Sequence, residues 1–296
     1  MNYNSAVVTG SSGFIGKHLI EALKKEKINI FEVSRSTNSI DITKWEQVEK
    51  IPGQDMVFHL AGITNIQKAF SNPRDVYFSN CMGTLNILEW CRNNDINKLI
   101  YASSFVYGSP LYLPIDEKHP VAPNNPYSQS KLIGEDLCKA YSRDYGLNVI
   151  ILRLFNIYGP HHKGNFLIPQ ILCQLPKGEV KLGNPVPKRD FIYINDAVNA
   201  ILAASIADIH GCDIFNIASG MSYSAEEVAN ILIGIYFKET GKKISITYTK
   251  YNRKGEITDT IANIEKAKKI LKWKPMIDIE TGLSMTLRAY LHEYTE

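Results

Sequence analysis

The sequence predicts an α/β fold in which a doubly wound parallel sheet is joined to a smaller C-terminal lobe. Apolar strand segments alternate with amphipathic helical segments as far as Leu152. A glycine-rich turn separates the first strand from the first helix, and beyond Pro160 the elements become shorter. Repeated strand–helix–strand order requires crossover helices between parallel strands, so these observations predict a doubly wound sheet.

Each predicted strand is a short apolar run, and each predicted helix has apolar residues at helical spacing. The first helix is an example, because Ile15, Leu19 and Leu23 fall on one face. The predicted strands are residues 6–9, 28–33, 56–60, 98–102 and 148–152. The predicted helices are residues 14–25, 75–92 and 127–145, with a short helix that begins at the capping-box sequence Thr43-Lys44-Trp45-Glu46.

The second half of the chain differs in composition. Pro and Gly become frequent after Pro160, which predicts a lobe built from short elements. We therefore expect residues 1–162 to form the sheet domain and residues 163–296 to form mainly the smaller lobe, with some segments returning to the first domain.

Composition limits the possible partners. The 296 residues include 33 basic and 30 acidic side chains, and this near balance gives no reason to expect nucleic acid or a membrane surface. The five cysteines form no CxxC pair, which predicts a reducing compartment and neither disulfides nor zinc. The N-terminus has no signal-peptide pattern, and the longest apolar stretch contains Arg153. We therefore expect a cytoplasmic protein.

The first strand is followed by a turn of sequence GSSGFIG. Glycines there let the backbone approach a pyrophosphate, and the helix that follows directs its free N–H groups at the phosphates. The spacing alone is common, but its position between strand and helix predicts a dinucleotide-binding Rossmann unit. The predicted contacts of the cofactor in this turn are Gly10, Ser12, Gly13, Phe14, Ile15 and Gly16.

The end of the second strand indicates which dinucleotide binds. An acidic residue there accepts hydrogen bonds from a free ribose 2′-hydroxyl, whereas this chain has Ser34-Arg35-Ser36. A guanidinium beside hydroxyls suits a 2′-phosphate, so NADP(H) is favoured and NAD(H) remains possible. The alternative is that Arg35 only caps a strand end in solvent. Asp41 and Ile42 follow after a short loop and are expected to border the adenine.

Two side chains on the last predicted helix of the first half form a candidate catalytic pair. Tyr127 and Lys131 are four residues apart, so both project from one helix face. A free tyrosine has a pKa of about 10, and a nearby ammonium together with an oxidised nicotinamide ring lowers it. Ser103 and Ser104 end the fourth strand at the carboxyl edge, where such sheets bind ligands, and a hydroxyl there can bond a sugar oxygen.

These motifs, taken in order, resemble the nucleotide-sugar epimerase/dehydratase branch of the extended short-chain dehydrogenase/reductase family. The resemblance spans essentially the whole chain and keeps the family's motif order. The matching segments are GSSGFIG, HLAG from His59, NCMGTLNIL from Asn80, YASSFVYG from Tyr101, YSQSK from Tyr127, LRLFNIYGP from Leu152, KRDFIYIND from Lys188, FNIASG from Phe215 and KAKKILKWKP from Lys266.

The resemblance implies roles for the residues at the matching positions. Tyr127 is the expected catalytic acid/base, Lys131 its partner and Ser103 the catalytic hydroxyl, with Ser104 as the fallback. We expect no proton transfer at His59, which is more simply a hydrogen-bonded strand-end histidine. The remaining residues expected at the cofactor are Leu60, Ala61, Gly62, Asn80 and Ala102.

The second lobe is expected to bind a nucleotide-linked sugar. By resemblance, Asn156 contacts the diphosphate or sugar, Arg189 and Arg253 clamp the diphosphate, and Glu256 binds the ribose. A guanidinium fork fits phosphate oxygens in pairs, although either arginine alone can be a surface ion-pair partner. His161-His162 is not expected to bind a metal, because no carboxylate or cysteine lies at ligand spacing.

Three reactions share this machinery. A 4,6-dehydratase has Asp-Glu after the catalytic hydroxyl, where this chain has Ser104-Phe105, so dehydration is not expected. The choice of NADP(H) at Arg35 favours an NADPH-dependent 4-keto-6-deoxy sugar reductase. The alternative is a nucleotide-sugar 4-epimerase with tightly held NAD.

Two further expectations concern the chain as a whole. By resemblance, a homodimer forms through helices 75–92 and 127–145. The alternative from a different functional class is a non-catalytic dinucleotide-sensing or RNA-associated protein. The presence of both Tyr127 and Lys131 argues against that alternative.

Overall fold

The core of the protein is a parallel six-stranded sheet, observed in a computed structural model that describes residues 3–249 and 257–295. The strands are β1 (Ser5–Thr9), β2 (Asn29–Val33), β3 (Met56–His59), β4 (Lys98–Ser104), β5 (Asn148–Leu154), β6 (Asn156–Tyr158), β7 (Glu179–Leu182), β8 (Lys188–Tyr193), β9 (Cys212–Ile217), β10 (Ser222–Ser224) and β11 (Ser245–Tyr248). The order in the main sheet is β2-β1-β3-β4-β5-β9. The predicted α/β class with a doubly wound parallel sheet is confirmed.

Helices cover both faces of this sheet. They are α1 (Phe14–Lys25), α2 (Trp45–Val48), α3 (Ile66–Ser71), α4 (Pro73–Tyr77), α5 (Gly83–Asn93), α6 (Pro126–Tyr145), α7 (Leu167–Leu172), α8 (Ile194–Ile206), α9 (Ala225–Thr240), α10 (Glu265–Ile270) and α11 (Ile279–Thr295). Alternate residues of the strands point to opposite sides, so Val8 packs with Leu19 of α1 while Val7 packs with Trp90 of α5. The buried strands therefore have apolar side chains on both faces.

Smaller sheets accompany the main one. β10, β8 and β6 form a three-stranded sheet, and β11 pairs with β7. β9 comes from the second half of the chain but extends the main sheet beside β5, where Arg153 lies opposite Asn216. One strand from the second half of the chain is therefore part of the same sheet as the strands of the first half.

Local structure differs from prediction at two places. Residues 75–92 are not one α-helix, because a π-helical segment (Phe78–Met82) separates α4 from α5. Thr43 does not cap α2 either: its hydroxyl donates to the Asp41 carboxylate (2.8 Å), and Lys44 occupies the N-cap position. At Thr43 the nearby Asp41 carboxylate replaces the local capping pattern on which the prediction rests.

Candidate active site

The turn after β1 has the shape that a pyrophosphate requires. Gly10 has φ +70°, and a Cβ there would lie 2.8 Å from the backbone nitrogen of Ala61. A Cβ on Gly16 would lie 2.8 Å from the carbonyl oxygen of Ser11, so this glycine lets α1 pack against the turn. Gly13 is the exposed N-cap of α1, and no side chain caps the helix. The N–H groups of the first turn of α1 therefore have no side-chain cap, which is the arrangement that anion-binding helix N-termini have.

Other residues of this turn lie around the same space. Ser12 is exposed, and Phe14 and Ile15 are half-buried at the first turn of α1. The Phe14 ring stacks on His162, with centroids 4.3 Å apart and planes 10° apart. His161 instead pairs with Glu293. Neighbouring histidines thus serve two different contacts.

The end of β2 forms a hydroxyl-rich turn. The Ser34 hydroxyl bonds to the hydroxyls of Ser36 (3.2 Å) and Thr37 (2.8 Å), and Arg35 is exposed beside them. Burial acts to raise the pKa of Asp41, but hydrogen bonds from Thr43 and the positive charge of Arg35 hold it below its usual range. Arg35 therefore lies within electrostatic reach of Asp41.

Ile42 follows at the edge of this region. It is buried, its carbonyl accepts a hydrogen bond from the Asn86 amide (2.8 Å), and its side chain packs against Gly83 at the start of α5. Its carbonyl and side chain are thus engaged within the protein, and they fix the end of the loop that starts at Ser34.

The loop after β3 is held by buried polar groups. His59 bonds through Nδ1 to the hydroxyl of Thr9 (2.7 Å) and through Nε2 to that of Thr84 (2.9 Å). Since Thr84 donates to the carbonyl of Asn80 (2.6 Å), its oxygen accepts the Nε2 proton. Burial lowers the pKa of His59 to about 3, so the ring is neutral. Both ring nitrogens are engaged inside the protein.

Asn80 connects this loop to α6. Its side-chain oxygen accepts a hydrogen bond from the Ile63 N–H (2.7 Å). Its side-chain nitrogen donates to the Ile63 carbonyl (3.1 Å) and to the Ser130 hydroxyl (2.8 Å). A Cβ on Gly62 would lie 3.1 Å from the Asn80 side-chain oxygen. Asn80 is almost fully buried, so its side chain fixes the loop that contains Leu60, Ala61 and Gly62.

Tyr127 and Lys131 lie in the first two turns of α6, on one face as predicted from their spacing. The helix begins at the N-cap Asn125, whose side chain accepts from the Ser128 N–H (2.9 Å), and Pro126 fills the first turn. Lys131 is buried, with Nζ 4.2 Å from the centroid of the Tyr101 ring. Burial lowers its pKa to about 8.

The pKa of the Tyr127 phenol differs from the expected direction. Burial raises it above the ordinary value, and a hydrogen bond with the Ser104 side chain opposes that rise. Among the chain's own groups, desolvation therefore exceeds the stabilisation of the phenolate. The positive ring of an oxidised nicotinamide, once bound nearby, would add an influence that lowers this pKa.

The two adjacent serines at the end of β4 have different surroundings. Ser103 is buried and donates to the Glu135 carboxylate (2.6 Å), which also binds Arg153 through Nε (3.0 Å) and Nη2 (2.7 Å). Ser104 is half-buried and lies close enough to the Tyr127 phenol to act against the rise in its pKa. Ser103, the expected catalytic hydroxyl, is therefore turned towards Glu135, whereas Ser104, the expected fallback, lies on the side of Tyr127, because successive side chains of a strand point to opposite faces. Ala102, just before them, is buried in the strand.

The expected substrate contacts lie together on β6 and β8. The Asn156 amide donates to the carbonyl of Asp190 (3.0 Å), and Arg189 Nη1 donates to the carbonyls of Lys188 and Ile257 (both 2.8 Å). Both side chains are half-buried. The remaining two expected residues, Arg253 and Glu256, lie outside the described residues.

Asp190 beside Arg189 is fully buried in the fold. Its carboxylate accepts hydrogen bonds from the N–H and hydroxyl of Ser219 (both 2.7 Å) and from the N–H groups of Gly220 (2.9 Å) and Ala262 (3.2 Å). Burial nevertheless raises its pKa to about 6. This carboxylate ties β8 to two loops and makes no contact with Arg189 among these bonds.

Glu135 and Arg153, which form the buried cluster with Ser103, were not predicted from the sequence. Both had recognisable features: Glu135 lies one further helical turn after Lys131, and Arg153 is a charge within an otherwise apolar strand. Over residues 3–249 and 257–295, no group of three or more His, Cys, Asp or Glu side chains could hold a metal ion. Within the same ranges, no helix has the length and apolarity needed to cross a membrane.

A Rossmann sheet with an open glycine turn and a tyrosine–lysine pair at its carboxyl edge defines an NAD(P)-dependent enzyme of the short-chain dehydrogenase/reductase type. Residues 6–218 match the family described as the NAD dependent epimerase/dehydratase family. The chain belongs to that family.

Comparisons with individual proteins agree with this assignment. The chain is 35% identical to a putative UDP-glucose 4-epimerase of Methanocaldococcus jannaschii, over 94% of this chain and 95% of that protein. The crystal structure of a UDP-glucose 4-epimerase from Thermotoga maritima with UDP-glucose is 26% identical, with a TM-score of 0.91 over 99% of this chain and all of the other (100%). RMD from Pseudomonas aeruginosa complexed with NADPH is 27% identical, with a TM-score of 0.89 over 98% and 99% of the two chains.

Proposed function

We propose that this protein is a nucleotide-sugar 4-epimerase acting on a UDP-hexose. The observation that carries the proposal is the half-buried Tyr127 phenol, which has the Ser104 side chain beside it and Lys131 one helical turn away. The similarity to the two UDP-glucose 4-epimerases named above favours epimerisation over the 4-keto-6-deoxy sugar reductase that Arg35 favoured. The reductase is kept as the second candidate because of that arginine.

The chain's own residues supply the proton chemistry. Tyr127 takes the proton of the sugar 4-hydroxyl and returns it after the keto sugar has turned over, and Ser104 holds the same oxygen by a hydrogen bond. The positive charge of Lys131 stabilises the Tyr127 phenolate. When the dinucleotide is bound, the Lys131 ammonium would donate a hydrogen bond to the nicotinamide ribose. Bound NAD would accept the hydride from C4 and return it, and the glycine turn that begins at Gly10 would hold its phosphates.

Substrate and cofactor contacts follow from this assignment. We propose that Asn156 and Arg189, with Arg253 and Glu256 from the sequence analysis, hold the nucleotide diphosphate and its ribose. Leu60, Ala61, Gly62 and Ala102 line the dinucleotide. Dehydration finds no support, because Phe105 and Val106 follow Ser104 and neither transfers protons.

The test uses sugars whose conversions differ between the two candidates. Purified protein is incubated with UDP-glucose or UDP-galactose, with and without added NAD, and the sugars are separated by chromatography. An epimerase brings both reactions to one equilibrium mixture without net change in nicotinamide absorbance. Stoichiometric NADPH oxidation by a 4-keto-6-deoxy nucleotide sugar, with no exchange of the two UDP-hexoses, would contradict the proposal and support the reductase.

A further inference from the structure

We propose that Glu135 and Ser103 are positioning residues for the reaction, because together they fix the end of β4 so that Ser104 faces Tyr127. The inference rests on the proposed function for its catalytic consequence. Its structural basis is a buried hydrogen-bonded cluster: Ser103 donates to Glu135 (2.6 Å), and Arg153 donates twice to the same carboxylate (3.0 and 2.7 Å). Ser103, Glu135 and Arg153 are between 0 and 3% exposed.

The location of Glu135 gives this cluster its effect. Glu135 lies on α6 two helical turns beyond Tyr127 and one turn beyond Lys131, while Ser103 directly precedes Ser104 on β4. One carboxylate therefore joins the helix that carries the acid/base to the strand that carries the second hydroxyl. If β4 shifted by one residue, Ser103 would take the side that faces Tyr127 and Ser104 the side that faces Glu135. The Ser103–Glu135 hydrogen bond therefore favours the observed register over the shifted one.

The cluster is itself anchored on the far side. The Arg153 guanidinium lies 4.8 Å from the centroid of the Tyr107 ring, and the Tyr107 hydroxyl donates to the Asn216 side chain (2.6 Å). The Asn216 amide also donates to the carbonyl of Ile115 (3.0 Å). Glu135 thus sits in a frame built from β5, β9 and the loop after β4, and a buried charge with these partners has one favoured arrangement.

The experiment removes one hydroxyl and measures Tyr127 directly. Ser103→Ala keeps the Glu135–Arg153 pair, so the fold should be retained, and Ser103→Thr restores a hydroxyl. Ser205→Ala is the matched control, since Ser205 is equally buried and hydrogen-bonded to Tyr3 (2.9 Å) but lies at the opposite edge of the sheet. The measurements are kcat, KM and the ultraviolet titration of the Tyr127 phenol, taken as the difference between each protein and its Tyr127→Phe counterpart.

We expect Ser103→Ala to lower kcat by about tenfold to a hundredfold, with KM for the UDP-hexose within about twofold, because misplacement of one reacting group costs that much. The phenol should titrate at higher pH, Ser103→Thr should recover most of kcat, and Ser205→Ala should match the wild type. The positioning role would be refuted if Ser103→Ala had the kcat and the phenol titration of the wild type. It would also be refuted if kcat stayed low in Ser103→Thr. If the wild type converts no UDP-hexose, the proposed function fails, while the phenol titration still decides the role of Ser103.

Discussion

At the scale of single residues, the environment of Tyr127 determines what the protein can do. Burial raises the pKa of this phenol, and the Ser104 side chain opposes that rise. Lys131 is buried against Tyr101, with its pKa lowered to about 8, so its own proton is held less tightly than that of a surface lysine. The proton affinity of the proposed acid/base is therefore set by burial and by several neighbouring groups rather than by the lysine alone.

The role of the phenol can be tested by removing one oxygen. Tyr127→Phe should lower kcat by about a hundredfold to ten-thousandfold, because acid/base transfer at the 4-hydroxyl is lost. The dissociation constant of the dinucleotide, measured by fluorescence titration, should stay within a few-fold. Tyr141→Phe on the same helix removes only a bond to Glu89 (3.0 Å) and serves as the control. Undiminished turnover in Tyr127→Phe would show that another group transfers the proton.

Arg35 is the residue on which the second candidate, the NADPH-dependent reductase, depends. Arg35→Asp should weaken NADPH binding by about tenfold or more and reverse an initial preference for NADPH over NADH, because a carboxylate repels the 2′-phosphate and accepts from a free 2′-hydroxyl. Calorimetric titration of both dinucleotides measures the change. The exposed Arg74→Asp makes the same charge change away from the turn and should leave the ratio unaltered. Equal NADPH and NADH affinities before and after Arg35→Asp would remove the case for NADP(H).

At the scale of elements, the site depends on short connections between strands and helices. β1, β3 and β4 end at the same edge of the sheet, and the loop after β3 is joined to α6 by Asn80. The π-helical segment that contains Asn80 lies between α4 and α5 and carries its side chain against Ser130. Such segments often occur at functional sites, in keeping with this position.

The contribution of that connection can be measured. Asn80→Ala removes three buried hydrogen bonds and leaves the Ile63 backbone without its partners, which should cost about 2–3 kcal/mol in the free energy of unfolding. Dinucleotide affinity should fall with it, since the loop is no longer fixed to α6. Denaturation by urea gives the first quantity. The exposed Asn94→Ala should change stability by less than about 0.5 kcal/mol, and a similar loss in both variants would argue against a special role for Asn80.

At the scale of the whole molecule, buried ionisable groups couple stability to pH. Burial lowers the pKa of His59 to about 3, below its unfolded value of about 6.5. The stability that the neutral ring contributes is therefore fully present above pH 6.5 and is lost as the pH falls, because only the unfolded chain takes up the proton. For one such group the slope approaches about 1.4 kcal/mol per pH unit.

This pH dependence can be isolated with variants. Urea denaturation between pH 4 and 8 should show a fall in stability on acidification that is shallower in His59→Gln. His210→Gln, at an exposed position, should retain the wild-type slope. Asp190, whose pKa burial raises to about 6, contributes in the opposite direction but equally in all three proteins. Parallel profiles for His59→Gln and the wild type would contradict this account of His59.

Assembly is the remaining prediction at this scale. We propose a homodimer through residues 75–92 and α6, on whose surfaces Phe78 (55% exposed), Met82 (37%) and Tyr145 (58%) present apolar area to solvent. Light scattering at micromolar concentration should give a dimer, and Phe78→Glu should shift it to a monomer by placing a charge in the interface. Phe237→Glu, at a comparably exposed position on α9, should remain dimeric. A monomeric wild type would overturn the proposal.

The sequence by itself determined the order of strands and helices, the glycine turn that begins at Gly10, and the common face of Tyr127 and Lys131. These features depend on local periods of 2 and 3.6 residues and on the conformations open to glycine, which neighbouring residues fix. Only the tertiary structure decided that Ser104 rather than Ser103 faces the phenol, that Glu135 pairs with Arg153, and that β9 extends the main sheet. Those outcomes depend on which strand and helix meet in space, and residues far apart in the chain set that register.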